Sequence, residues 1–415
     1  MLRINYFYTK ITRAWASGTF RERSIQFLIT CVRRPLEVSI GYLRLSKADR
    51  NLNVKDGFAD HRQEKDHHRS NHDHIRRIIA AYKKSKQLQG QAALPFEIRG
   101  LWAEWISVNY NQLVVALEAE DVTKLASMLE NLFREQFTAD TGGYDSYIQY
   151  RKPFGSLYIK YVWSKYRDLL LVLGFDPNRI CFPNVGNQTG VVLNGKVISI
   201  DTIRHAHHAV EMCELLRNIP KAICVEIGAG IGGQAYQTVQ MGGEQISKYV
   251  LFDIPEVAAL SSYFLLSAFP NKRVRLFGED SVSVSSSDEY DIAVFPHYAI
   301  SQLPDSSIDL FYNCNSFSEM DGATSREYLS IIERTCRKYF LHDNHEAIFK
   351  FKDADGSTST NVIGSKLIPN PDLFKRVFKR LSVDRNLPED RFLVQYEYLY
   401  EKMKLPPKAN KIKEL

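Results

Sequence analysis

Residues 221–235 read KAICVEIGAGIGGQA, and the reading of this stretch decides the fold. AICVEI is a short apolar run carrying one acid, as a buried strand would be. GQAYQTVQM then reads as a helix ended by Gly242-Gly243. Between them, glycines let the chain turn tightly so that backbone N–H groups and the helix N-terminus face a ligand. Two spacings overlap here. Gly228, Gly230 and Gly233 spell G-x-G-x-x-G, the pattern that takes a dinucleotide pyrophosphate. With Gly232 the same stretch spells G-x-G-x-G behind an acid, which suits a cofactor without phosphate.

Downstream the pattern alternates. KYVLFD reads as a strand, and PEVAALSSYFLLSAF as a helix with proline in its first turn. RVRLFG, DIAVFP and IDLFYNCN read as three more strands, REYLSIIERTCRK as a helix and KYFLHD as a strand. Such alternation predicts an α/β fold, a parallel sheet with helices on both faces. Ligands of such sheets bind beyond the carboxyl ends of the strands, near the topological switch. RFLVQYEYLYEKM alternates with Phe392, Val394, Tyr396, Tyr398 and Tyr400 in phase, predicting an antiparallel strand that closes an edge.

Upstream, residues 75–174 have helical periodicity. VTKLASMLENLFREQF, for example, sets Leu125, Met128, Leu129 and Leu132 on one face. TGGYDSY at 141–147 breaks the helices, and Tyr144 and Tyr147 are placed to pack or to line a pocket. VVLNGKVIS carries Asn194-Gly195 between β-branched runs, the signal for a type I′ hairpin. The expected division is a basic amphipathic segment over 1–50, a polar His-rich linker and helix over 51–90, a helical substrate-covering domain over 91–218, the ligand-binding α/β domain over 219–402 and a basic tail over 403–415. His61, His67, His68, His72 and His74 lie among polar residues without an apolar frame, which predicts a solvated linker rather than a metal site.

The net charge of +6 is uneven. Residues 1–50 hold ten Lys/Arg against three Asp/Glu, and the remaining chain is close to neutral at −1. A nucleic-acid enzyme would carry a basic stripe through its folded body, so nucleic acid is not the expected partner. The basic N-terminal segment reads as helices packed on the body, or as an interfacial contact with an anionic membrane. No run reaches the length of a spanning helix, and no signal-peptide pattern precedes the fold. The six cysteines are scattered with no CxxC pair, which predicts reduced thiols, a cytoplasmic location and no metal site, so that a membrane contact by residues 1–50 would be with the inner face.

Three acids bear on the ligand. Glu226 sits in an apolar strand two residues before the first glycine. A buried carboxylate without a partner is costly, and near a pyrophosphate it would add repulsion. Near the ammonium and sulfonium of S-adenosylmethionine the cost becomes attraction, so the cationic cofactor is favoured over NAD(P); an internal ion pair with Arg or Lys is the structural alternative. Asp253 ends the next strand, 20 residues after Gly233, where a carboxylate accepts both hydroxyls of a ribose. With Glu256 it also forms a D-x-x-E capping pattern. Asp280, in LFGEDS, is placed to accept an adenine amino group or to hold a turn.

VEIGAGIGG, the FD at 252–253 and GED at 278–280 resemble the S-adenosylmethionine-dependent methyltransferases. VGNQTGVVLNGKVISIDTIRHAH at 185–207 and SIDLFYNCNSFSEM at 307–320 resemble more closely the bacterial sugar O-methyltransferase family, over about residues 120–345, with Gln188 where proline is expected after Gly-Asn. The resemblance implies a Rossmann-like class I methyltransferase sheet behind a helical N-terminal domain. It also implies an S-adenosyl-L-methionine site at Glu226, Gly228, Ala229, Gly230, Gly232, Gly233, Asp253, Ile254, Asp280 and Asn315. The acceptor it implies is a sugar hydroxyl, free or within a growing glycan.

Methyl transfer to a hydroxyl needs alignment and a base. Strand ends offer His345 beyond LHD, His297 in FPHY and Glu319 in NSFSEM, with His345 favoured because residues past a strand reach outward. Asp343, Asp321 and Glu319 are a less favoured set for a divalent ion. A non-catalytic methyltransferase-like scaffold is a further alternative, disfavoured by the retained Glu226 and Asp253.

Overall fold

A computed structural model of the chain describes residues 39–43, 45–64, 70–139, 141–279, 290–352, 358–382 and 394–404. Most of the basic N-terminal segment, Asp280 and the end of the basic tail lie outside the described residues. Among those described, no helix is long and apolar enough to cross a membrane.

Among the described residues, four helices of eight residues or more precede the first hairpin: α1 (His72–Gln89), α2 (Asn111–Glu118), α3 (Val122–Leu129) and α4 (Gly155–Val172). The hairpin β1 (Gly190–Leu193) and β2 (Lys196–Ser199) follows, with Leu193 opposite Lys196. Asn194 and Gly195 both have positive φ, as a type I′ turn requires. Then come α5 (Ile200–Leu216), β3 (Ala222–Ile227), α6 (Gly233–Gly242), β4 (Ile246–Asp253) and α7 (Pro255–Ala268). The chain continues through β5 (Val274–Leu276), β6 (Ile292–Pro296), β7 (Ile308–Cys314), α8 (Gly322–Thr335) and β8 (Cys336–His345). A small pair, β9 (Lys350–Lys352) and β10 (Thr358–Thr360), precedes β11 (Phe374–Leu381) and β12 (Gln395–Lys402).

The main sheet has eight strands in the order β11-β12-β8-β7-β3-β4-β6-β5. The six strands from β8 to β5 are parallel, β12 runs antiparallel to β8, and β11 runs antiparallel to β12. This is the α/β class expected from the alternation. Residues of the central strands are buried on both faces, which is why they read as apolar runs. One face packs on α5, α6 and α7 through Cys224, Leu251, Leu310 and Phe264; the other packs on α8 and the 3₁₀ turn His297–Gln302 through Val225, Phe252, Phe311 and Ile332.

Two expectations are corrected here. The strand read at 391–403 is antiparallel as expected, but it does not close the edge: β12 lies between β8 and β11. The edge is FKRVFKRL, whose largely exposed Lys and Arg obscured the strand in sequence and suit an edge open to solvent. Nor do Asp253 and Glu256 form a capping box. The N-cap of α7 is Ile254, and Glu256 accepts from Lys86 of α1 at 2.9 Å.

The N-terminal helices share the sheet's core. Leu113, Leu125 and Trp163 belong to the same buried cluster as Leu251 and Phe264. Residues 53–61, read as solvated linker, pack on the hairpin: Asn53 bridges Val192, and the amide of His61 donates to Asn187 Oδ1 at 2.9 Å. Asn187 of the GNxxG stretch is fully buried, has a φ of 53°, and also donates to Asp60 and Asn131. That φ favours Asn and Gly over other residues. Replacing Asn187 by Ala removes three buried hydrogen bonds and strains the backbone, so a loss of about 3 kcal/mol is expected in denaturant unfolding. A loss below about 0.5 kcal/mol, the usual range for a surface change, would show that this hub does not hold the helices to the hairpin.

Candidate active site at the sheet's switch point

After β3 the chain lays β4, β6 and β5 to one side, then crosses to place β7 on the other. The crevice opens at the carboxyl ends of β3, β4, β6 and β7, where such sheets bind ligands. Its empty space is about 1260 Å³, open mouth included.

The glycine loop forms one wall. Gly228, Gly230 and Gly232 all have positive φ, and α6 starts at Gly233. The loop is also hemmed in. A Cβ on Gly228 would stand 2.2 Å from Ser316 Oγ, and one on Gly233 would stand 2.5 Å from the His205 ring. Asp253 braces it: one carboxylate oxygen accepts from the amide of Gly230 at 2.9 Å and the other from Ile254 at 2.8 Å. Burial nevertheless pushes the Asp253 carboxyl up to about 7, against the pull of these amides.

Glu226 lines the same cleft and is 4% exposed. Among the described residues its one hydrogen-bond partner is Tyr249, whose hydroxyl donates to Oε2 at 2.9 Å. Burial pushes its carboxyl up to about 8, with Asp253 adding repulsion and the more weakly felt His208 and Arg204 pulling down. The internal ion pair that would have explained Glu226 without a ligand is therefore not what holds it. Desolvation dominates, and it disfavours the ionised form.

The opposite wall comes from the NSFSEM stretch. Asn313 and Ser316 both donate to the carbonyl of Ile227, and Asn344 donates to Asn313. Asn315 follows β7 with a φ of 66°; its Oδ1 is buried with no hydrogen-bond partner among the described residues, and the residue lines the cleft. Strained, under-satisfied residues of this kind collect at binding sites. Glu319 also lines the cleft, its Oε2 held by the indole N–H of Trp102 at 2.8 Å.

Of the sequence-derived site residues, the cleft brings together Glu226, Gly228, Ala229, Gly230, Asp253, Ile254, His297, Asn315 and Glu319. Gly232 and Gly233 shape the loop behind it. His297 donates from Nε2 to the carbonyl of Phe96 at 2.7 Å, and burial pulls its basicity down to about 4. His345 stands apart. β8 continues through it in register with Gln395, and its ring packs on Phe349, so it is a strand residue rather than one reaching past the strand. The three acids considered for a metal separate: Asp321 caps α8, accepting from Ala323 and Thr324, while Asp343 lies under the sheet. Sequence reasoning missed Phe96, Trp102, Thr141, Arg204 and His205, which also line the cleft. The glycine break TGGYDSY pointed at the right loop. However, its Thr141 faces the site, whereas Tyr147 packs near Arg134 and Arg151.

No family model matches the chain, and no curated protein matches it in sequence. Solved structures do resemble it. The 1,6-didemethyltoxoflavin-N1-methyltransferase of Burkholderia thailandensis, solved with 1,6-didemethyltoxoflavin and S-adenosylhomocysteine, is 14% identical; the match covers 48% of this chain and 79% of that one, with a TM-score of 0.31. An S-adenosylmethionine-dependent methyltransferase of Mesorhizobium loti is 13% identical over 45% of this chain and 95% of that one, with a TM-score of 0.28. One from Aquifex aeolicus is 11% identical over 48% and 89%, with a TM-score of 0.29. The fold assignment rests on the strand order described above.

The raised carboxyls fix a pH dependence. An acid whose folded pKa lies above its unfolded value binds more protons when folded, so stability falls as pH rises through that window. For Glu226 the window runs from the ordinary glutamate range to about 8. Ligand-free protein is expected to melt at progressively lower temperature as pH rises across it, and Glu226→Gln to flatten part of that slope. An unchanged slope in the variant would show that Glu226 is not the strained group.

Proposed function

We propose that the chain is an S-adenosylmethionine-dependent O-methyltransferase whose acceptor is a sugar hydroxyl. The observation that carries the cofactor reading is Glu226: a buried carboxyl whose one hydrogen-bond partner among the described residues is a tyrosine hydroxyl, at the mouth of the first sheet strand. A cationic ligand repays its desolvation, whereas a pyrophosphate would worsen it. Asp253, beyond the neighbouring strand, is placed for the ribose hydroxyls, and Asn315 offers an unsatisfied carbonyl at the cleft wall. These features disfavour an NAD(P)-dependent oxidoreductase, and a mere scaffold has no use for so strained an acid.

The cofactor supplies an already activated methyl group. What remains for the protein is to align the acceptor oxygen, a gain of up to roughly 7–11 kcal/mol, and to remove one proton, typically worth about 10²–10⁴ in rate. Glu319 fits the second task better than the histidines. It faces the cleft as a carboxylate oriented by Trp102, whereas His297 is committed to a carbonyl and weakly basic, and His345 lies elsewhere. Trp102, Phe96 and Phe351 give the wall an aromatic surface on which a sugar's C–H face packs. The sugar class itself rests on the sequence resemblance through GNxxG and NSFSEM.

Calorimetry is expected to find S-adenosylmethionine or S-adenosylhomocysteine bound and NAD(P) not bound; the reverse would replace the reading with the oxidoreductase. With labelled cofactor and a glycan extract as acceptor, Glu319→Gln is expected to lose about 10²-fold or more in turnover with cofactor affinity intact. His345→Ala should stay near the parent rate. Equal, near-normal rates for both would remove Glu319 from the reaction.

A further inference from the structure

Behind the cleft lies a cluster that the methyl-transfer reading leaves unused. Strand register sets Cys314 of β7 beside Asp343 of β8, Asp343 beside Glu397 of β12, and Glu397 beside Arg380 of β11. Laterally paired residues project to the same face, so these four form one polar row across four strands. His208 of α5 lies over the row. Its Nε2 is 3.7 Å from Asp343 Oδ2 and its Nδ1 is 3.7 Å from Glu397 Oε1. His208, Asp343 and Glu397 are each no more than 1% exposed, whereas Cys314 also lines the cleft.

We propose that His208, Cys314 and Asp343 bind a zinc-class divalent cation behind the cleft wall. Their ligand atoms all lie within 4.8 Å of one another, and the nitrogen–oxygen separation is close to the spacing of two ligands on a tetrahedral ion. One imidazole, one thiolate and one carboxylate select zinc, or cobalt as its substitute, over magnesium and calcium, which take oxygen ligands. The supporting shell is also present. Glu397 faces the other nitrogen of His208, Ser382 donates to Asp343 Oδ2 at 2.5 Å, and Arg380 holds Glu397 at 2.6 Å. A carboxylate behind the ligating histidine is how metal sites fix the tautomer and orient the ring. A second set, His207, His208 and Glu211, shares His208 but lacks a thiolate, and its Glu211 is paired with Arg380. On binding, the Cys314 thiol gives its proton to solvent and its thiolate bonds the ion. The inference rests on these side chains and not on the identity of the cofactor.

The test uses the full chain, stripped with a chelator and titrated with zinc against a chromophoric competitor, then with cobalt for its spectrum. Expected is about one equivalent of zinc, and a cobalt form with a thiolate charge-transfer band and the strong visible bands of a tetrahedral ion. Cys314→Ser should abolish the thiolate band, and His208→Ala should weaken binding by at least roughly tenfold. Glu397→Gln should keep the band while weakening affinity by roughly 10–100-fold. Circular dichroism on each variant separates lost binding from lost folding. Failure of the parent protein to hold zinc overturns the inference, as does a thiolate band that survives Cys314→Ser. S-Adenosylmethionine binding, measured on the same samples, fails or succeeds separately.

Discussion

A carboxyl group buried at the end of the central strand, with a tyrosine hydroxyl as its hydrogen-bond partner, is the constraint around which the site is organised. Ionising Glu226 in that position is unfavourable in the empty protein, as the upward push to about 8 records. Nothing in the packing of β3 calls for an acid there; Cys224, on the same face of the strand, is an ordinary apolar contact. In the proposed function, that cost is carried for a ligand that enters the cleft. Positive charge on a small molecule removes it, and negative charge compounds it.

The surrounding geometry serves the same end. The glycine loop packs closely on Ser316 and the His205 ring, where no Cβ fits, and Asp253 fixes the loop by accepting a hydrogen bond from an amide within it. The wall facing the loop is held by a side-chain network through Asn313, Asn344 and Asn361, the last donating to the carbonyl of Ser318 at 2.6 Å. Such networks rigidify when every member is satisfied. Against this rigid frame, Asn315 is held in a strained backbone conformation with an unsatisfied carbonyl, a cost the frame can sustain. The helical N-terminal region completes the cleft by contributing Phe96 and Trp102, so its lining comes from different parts of the chain.

Much of this was legible in the sequence. The switch from glycine-rich turn to helix placed β3 and α6, and alternating apolar runs gave the parallel sheet. Glu226 stood out because its neighbours are apolar. What the sequence concealed had physical causes. FKRVFKRL hid an edge strand because solvent-facing Lys and Arg mask a period of two. LHDNHE invited a catalytic histidine because nothing local indicates that β8 runs on to His345, whose place is set by pairing with β12, fifty residues later. Glu397, between the in-phase tyrosines of the same strand, is fully buried beneath α5. Only the register between distant strands reveals the row from Cys314 to Arg380.

The central claim concerns charge, so the most direct measurement counts protons. Titrating S-adenosylmethionine into the protein near neutral pH, in buffers of different ionisation enthalpy, separates the heat of binding from that of proton transfer. If Glu226 ionises to meet the ligand, binding releases protons, and Glu226→Gln releases fewer and binds more weakly. Binding with the same proton count and affinity in both proteins would contradict the account.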